Sequence, residues 1–84
     1  MPDGKQVTLA RMRAGQSGMV LRIEGGHGIV NRLNALGIIS GKRITKISSM
    51  LMRGPVTIEV DRAQIAIGLG MANKIIVELD EPPS

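Results

Sequence analysis

The chain has no phenylalanine, tyrosine, tryptophan or cysteine anywhere in its 84 residues. Whatever it folds into is held by aliphatic side chains and methionine alone, in one small core near the lower size limit for folding without a staple. Met12, Met19, Met50, Met52 and Met71 suit the irregular gaps that rings would otherwise fill. Without cysteine there is no disulfide and no thiolate site for a metal, and a reducing compartment is permitted. Without Phe, Tyr and Trp there is no aromatic platform of the kind single-stranded nucleic-acid binders usually present.

Asp3, Lys5 and Gln6 break any apolar run at the start, so no export signal is expected. The greasiest window, Ile65 to Ala72, falls far short of the roughly 20 residues a membrane helix needs. The expectation is a soluble, cytoplasmic protein of one domain, residues 1–84, with no membrane insertion. The net charge of +4 is uneven: residues 1–54 carry nine Lys/Arg against two acids, and residues 55–84 carry two against five. The basic half invites an acidic partner, the alternative being an ordinary solvated surface.

The local patterns then give a list of elements. Thr8 to Gly15 reads as a helical turn with Thr8 as N-cap, Gly15 as its end, and Leu9 and Met12 facing inward. Ser17 to Glu24 alternates as a strand, with Met19, Leu21 and Ile23 on one side and Val20, Arg22 and Glu24 on the other. From His27 to Leu36 the period becomes helical, with Ile29, Val30, Leu33 and Leu36 on one stripe. Gly37 is placed to stop that helix in the left-handed conformation, with Ile38 folding back on Leu33.

Ser40-Gly41 makes a turn. Lys42 to Met52 is an irregular strand, because Ile44 and Ile47 are three apart and cannot share one face without a bulge near Lys46. Arg53-Gly54-Pro55 turns the chain into Val56, Ile58 and Val60, which alternate with Thr57, Glu59 and Asp61. Gln64 to Ile67 is a brief strand and Gly68 to Lys74 a compact turn. Ile75, Val77 and Leu79 form one face of a last strand before the tail at 80–84. The sum is a mainly β chain, a small antiparallel barrel of about five strands with one short inserted helix.

Three motifs tempt a ligand reading. Gly37 to Arg43 nearly spells a Walker A loop, but it is one residue short and Arg43 stands where the magnesium-binding Ser or Thr belongs. It also follows a helix and precedes a strand, the reverse of a phosphate cradle. Gly68-Leu69-Gly70 opens like a dinucleotide fingerprint, yet Asn73 replaces the third glycine and no βαβ unit fits after it. His27 is the sole histidine; a metal would need Glu24, Glu59, Asp61, Glu78 or methionines to converge on it, so the expectation is no metal and no cofactor. With no cysteine nucleophile and no partnered histidine, a catalytic constellation is missing as well.

Several short pieces in order carry a resemblance. Arg13-Ala14-Gly15-Gln16-Ser17-Gly18, Ile23-Glu24-Gly25-Gly26, Arg32-Leu33 with Leu36-Gly37-Ile38 and Gly41, Gly54-Pro55 with Ile58, and Ile65-Ala66-Ile67-Gly68 with Ala72 and Ile75 to Glu78 resemble the ferrous iron transport protein A (FeoA) family over residues 7–79. The resemblance implies an SH3-like barrel, cytoplasmic in prokaryotes, that assists the membrane ferrous iron permease bearing a GTPase domain on its cytosolic side. It also implies kinship with the barrel that closes iron-dependent repressors. The irregularity around Lys46 and the hairpin at Arg53 depart from the family pattern.

The expected mechanism is protein–protein contact rather than catalysis or nucleic-acid binding. The expected contact is the helix and the turn after it: Leu36, Gly37 and Ile38, with Ile39, partly exposed as an apolar anchor, and Arg32, Lys42 and Arg43 as steering charges. In the competing reading of the same residues, Leu36 and Ile38 are simply core. The runner-up function is a self-associating or peptide-binding module, a homo-oligomer using an exposed strand edge such as Val56 to Asp61.

Overall fold

Residues 5–49 and 54–80 are described by the computed structural model; Met50, Met52 and Arg53 lie outside them. The elements are β1 (Gln6–Thr8), a 3-10 turn (Leu9–Arg11), β2 (Ser17–Ile23), α1 (His27–Ala35), β3 (Arg43–Ser49), β4 (Val56–Val60), β5 (Ala63–Ile67), α2 (Leu69–Ala72) and β6 (Ile75–Leu79). The six strands form one antiparallel sheet in the order β1-β6-β2-β3-β4-β5.

Laid flat, six strands would span roughly 24 Å from edge to edge. Yet Val7 in β1 packs on the same cluster that holds Ile67 in β5, so the sheet curls around its own inner face. That face supplies Val20, Ile44, Val56, Ile58, Val60, Ile67, Ile75 and Val77, closed by Leu9, Met12, Leu33, Ile38 and Ala72. Each large aliphatic side chain so buried contributes about 1.5–3 kcal/mol.

β4 follows its sequence pattern, with Val56, Ile58 and Val60 buried. It lies between β3 and β5, so Val56 to Asp61 is not an edge; the free edges belong to β1 and β5. Asp61 and Arg62 close the β4–β5 hairpin with φ of 52° and 70°, the left-handed pair a two-residue turn needs to match the strand twist. The strand count of five omitted β1, and the turn at Gly68 to Lys74 holds the single helical turn of α2. Thr8 does stand at the N-cap of the 3-10 turn, but its hydroxyl makes no cap hydrogen bond and the turn ends at Met12 rather than Gly15.

The phase expected for β2 is inverted at its start. Val20 is buried against Val77 while Met19 is 43% exposed. Leu21 is an extra residue: the ladder passes from Val20↔Val77 to Arg22↔Ile76 and Ile23↔Ile75. This bulge brings Ile23 back to the side of Val20 and turns Leu21 out of the core. Gly18 completes the strand's inner face because nothing larger fits: a Cβ there would lie 2.5 Å from the Glu78 carbonyl oxygen.

Candidate interaction surface

The expected break near Lys46 is present, with Ile47 as the extra residue between Lys46↔Ile58 and Ser48↔Thr57. It does not bring Ile47 inside. Ile47 is exposed and Lys46 is 1% exposed, the one charged side chain in the core of the described residues. Its ammonium donates to the carbonyls of Leu9 at 3.3 Å, Ala10 at 3.2 Å and Met12. The 3-10 turn ends on these carbonyls, and a cation is the donor that suits them. Burial pushes the Lys46 pKa below the usual 10.5. The main chain of Lys46 is also tied to the same arch, accepting from the Gly15 amide at 2.7 Å and donating to the Gln16 carbonyl at 2.9 Å.

α1 starts at His27 behind an extended Gly26, and its stop is a Schellman motif. Ile38 N–H donates to the Leu33 carbonyl at 2.9 Å and Gly37 N–H to the Asn34 carbonyl at 2.9 Å, with Gly37 at φ +93°. Leu33 and Ile38 are both fully buried, whereas Leu36 is 43% and Ile39 42% exposed. Ile38 therefore presents no side chain to a partner; it is the core residue that locks the helix end. Gly37, without a side chain, shapes that end of the helix through its backbone alone.

The expected surface also divides. Ile39 lines a groove of about 440 Å³ with Leu21, Ile23, Val30 and Asn34, between α1 and the bulge of β2. With about 100° between successive helical residues, Arg32 and Leu36 fall on the flank of α1 away from Val30 and Asn34. Lys42 donates to Asp61 at 2.9 Å. Arg43 is paired with Asp80 and stands opposite Met19, in a row across the outer sheet face that runs Gln6, Glu78, Met19, Arg43. Of the expected steering charges, Arg32 alone has no ion-pair partner among the described residues.

His27 is exposed at the start of α1, and no group of three or more His, Asp or Glu that could hold a metal ion occurs among the described residues. Gly41 sits at φ +90° in the turn that returns to β3, its amide held by the Val20 carbonyl at 2.7 Å. The Walker-like stretch is thus a helix stop followed by a strand entry. No helix of the described residues is long and apolar enough to cross a membrane.

Residues 7–79 match the model of the FeoA domain. The chain belongs to the FeoA family. A Methanocaldococcus jannaschii protein provisionally named Fe(2+) transport protein A is 39% identical over 70 residues, covering 83% of each chain. A crystal structure of an iron uptake regulatory protein (FeoA) superposes with a TM-score of 0.84 at 35% identity, over 89% of this chain and 99% of that one. The zinc-complexed FeoA of Stenotrophomonas maltophilia, described as a prokaryotic SH3 domain protein, superposes with a TM-score of 0.74 at 21% identity, over 86% and 89% of the two chains. The FeoA fold is SH3-like here too. It recurs as part of a longer manganese-dependent transcriptional repressor, with a TM-score of 0.83 at 22% identity over 94% of this chain and 44% of the repressor.

Sequence reasoning missed the inward Lys46, the Leu21 bulge and the strand at β1. The first had a signal. Ile44 and Lys46 are two apart, so keeping Ile44 inside an unbroken strand start carries Lys46 inside with it.

Proposed function

We propose that this chain is a cytoplasmic accessory protein of ferrous iron uptake that acts by binding the cytosolic, GTPase-bearing part of the ferrous iron permease, and not by catalysis. The observation that carries this reading is the sharp helix stop that leaves Leu36 and Ile39 exposed on either side of the buried Ile38, in a chain of the FeoA family. Leu36, with Arg32 on the same flank of α1, and Ile39, followed along the chain by Lys42 and Arg43, pair apolar anchors with basic residues, as interface energetics asks of a docking surface. The ion pairs of Lys42 and Arg43 are solvent-exposed, hold little energy, and are readily exchanged for a partner's carboxylates.

The test is capture of the chain by the soluble GTPase domain of the permease from the same organism. Wild type is retained, while Leu36→Gln, Ile39→Gln and Arg32→Glu are lost at unchanged far-ultraviolet circular dichroism. No capture of wild type rejects the partner; equal capture of all variants rejects the surface.

A second reading, self-association, is favoured by the unpaired edge of β5. Sedimentation of the isolated chain with and without divalent metal decides it: a concentration-dependent dimer supports it and a monomer at all concentrations rejects it.

A further inference from the structure

A second surface lies at the opposite end of the sheet order. Residues Lys5 to Thr8, in unbroken succession, form part of the wall of an open cleft of about 1300 Å³. The Leu79 amide bonds to the Lys5 carbonyl at 2.8 Å, and β1 pairs with β6 as Gln6↔Glu78, Val7↔Val77 and Thr8↔Ile76. In an antiparallel ladder, bonded and non-bonded positions alternate. Lys5 and Val7 therefore spend their main-chain groups on β6, and Gln6 and Thr8 turn theirs away from it. β1 has no neighbour on that side.

Cations outnumber carboxylates in the lining of this edge. Lys5, Arg11 and Arg13 line the cleft, and none has an ion-pair partner among the described residues. Asp80 is the one carboxylate in the lining, and Arg43 already holds it. Arg11 and Arg13 are carried by the arch that the Lys46 ammonium and main chain fix in place, so the cations stand on a supported frame.

We infer that this cleft binds an extended acidic peptide segment of a protein partner, which adds a strand to β1 and sets its carboxylates against Lys5, Arg11 and Arg13. Main-chain bonds to Gln6 and to the Thr8 amide, whose carbonyl is spent on the 3-10 turn, supply affinity, and alternate acidic side chains supply specificity, as in other strand-addition sites. The cleft shares no residue with the surface at the end of α1, so it stands whether or not that surface meets the permease.

The experiment uses the full chain and a short fluorescent peptide alternating glutamate with valine. Its controls are the same peptide with lysine for glutamate and an oligodeoxythymidylate of matched charge. The expected result is binding of the glutamate peptide alone, weakened on the order of tenfold by R11E/R13E and accompanied by slowed amide hydrogen exchange at Gln6 and Thr8. The proposal is overturned if the glutamate peptide does not bind at low salt, or if natively folded R11E/R13E binds it as tightly. Oligodeoxythymidylate binding as tightly, which would mark a general polyanion surface, overturns it too. The exchange measurement needs no variant, and unchanged exchange at Gln6 and Thr8 with the peptide bound overturns it as well.

Discussion

The Ser40 hydroxyl donates to the main-chain carbonyl of Leu21 at 2.8 Å. Leu21 is the residue that the β2 bulge leaves without a ladder partner, so the turn after α1 supplies the bond that the strand cannot. This link fixes Ile39 beside the bulge, on the wall of the groove.

Ser40→Ala removes that donor from an exposed site where water can replace it. The expected loss is about 0.5 kcal/mol, the low end for a neutral hydrogen bond, read as a small drop in the urea midpoint with an unchanged slope.

Gly37→Ala forces a Cβ into the left-handed region at φ +93°. Space is not the obstacle, since the new atom would meet the Val60 Cγ1 at an ordinary 3.5 Å. The expected destabilisation is the conformational cost, about 1–2 kcal/mol, measured by denaturant unfolding.

Gly18→Ala fails for the other reason. A Cβ at 2.5 Å from the Glu78 carbonyl oxygen and 2.6 Å from the Val77 Cγ1 forces β2 and β6 apart at the centre of the sheet. The expected cost is roughly 1–3 kcal/mol or more, with faster amide exchange along β6.

Lys46→Met leaves the Ala10 and Met12 carbonyls without their donor and is expected to cost roughly 1–3 kcal/mol. Lys46 also sets a pH signature. Its folded pKa lies below the 10.5 of the unfolded chain. Between those two values the unfolded chain binds a proton that the folded chain has released, so stability rises with pH across that interval. Below it both states are charged and Lys46 adds no slope. Urea titrations from neutral pH to above 10.5 should show this gain in wild type and lose it in Lys46→Met.

Much of this was legible wherever one residue follows another without interruption. β4 alternates cleanly because it is flanked on both sides and has no bulge. The end of α1 was legible to the residue, since glycine followed by isoleucine has one favourable arrangement at a helix stop. β2 was not, because its bulge at Leu21 answers to β6, two-thirds of the chain away, and reverses the apparent phase of Met19. Ile38 and Ile39 show a different limit at the candidate site. The stop at Gly37 already turns Ile38 back on Leu33, and reading Ile38 as part of an exposed anchor overlooked that this fold-back buries it completely while Ile39, one residue on, stays at the surface. The cleft beside β1 depends on a three-residue strand that no periodicity test can detect.

The inward lysine has one more consequence. Its ammonium and its main chain hold residues 9–16 from inside β3, so the N-terminal arch and the middle of the sheet are one cooperative unit in local opening. Hydrogen exchange would find them opening together, and a ligand seated on the arch would tighten amides in β3 that it never touches.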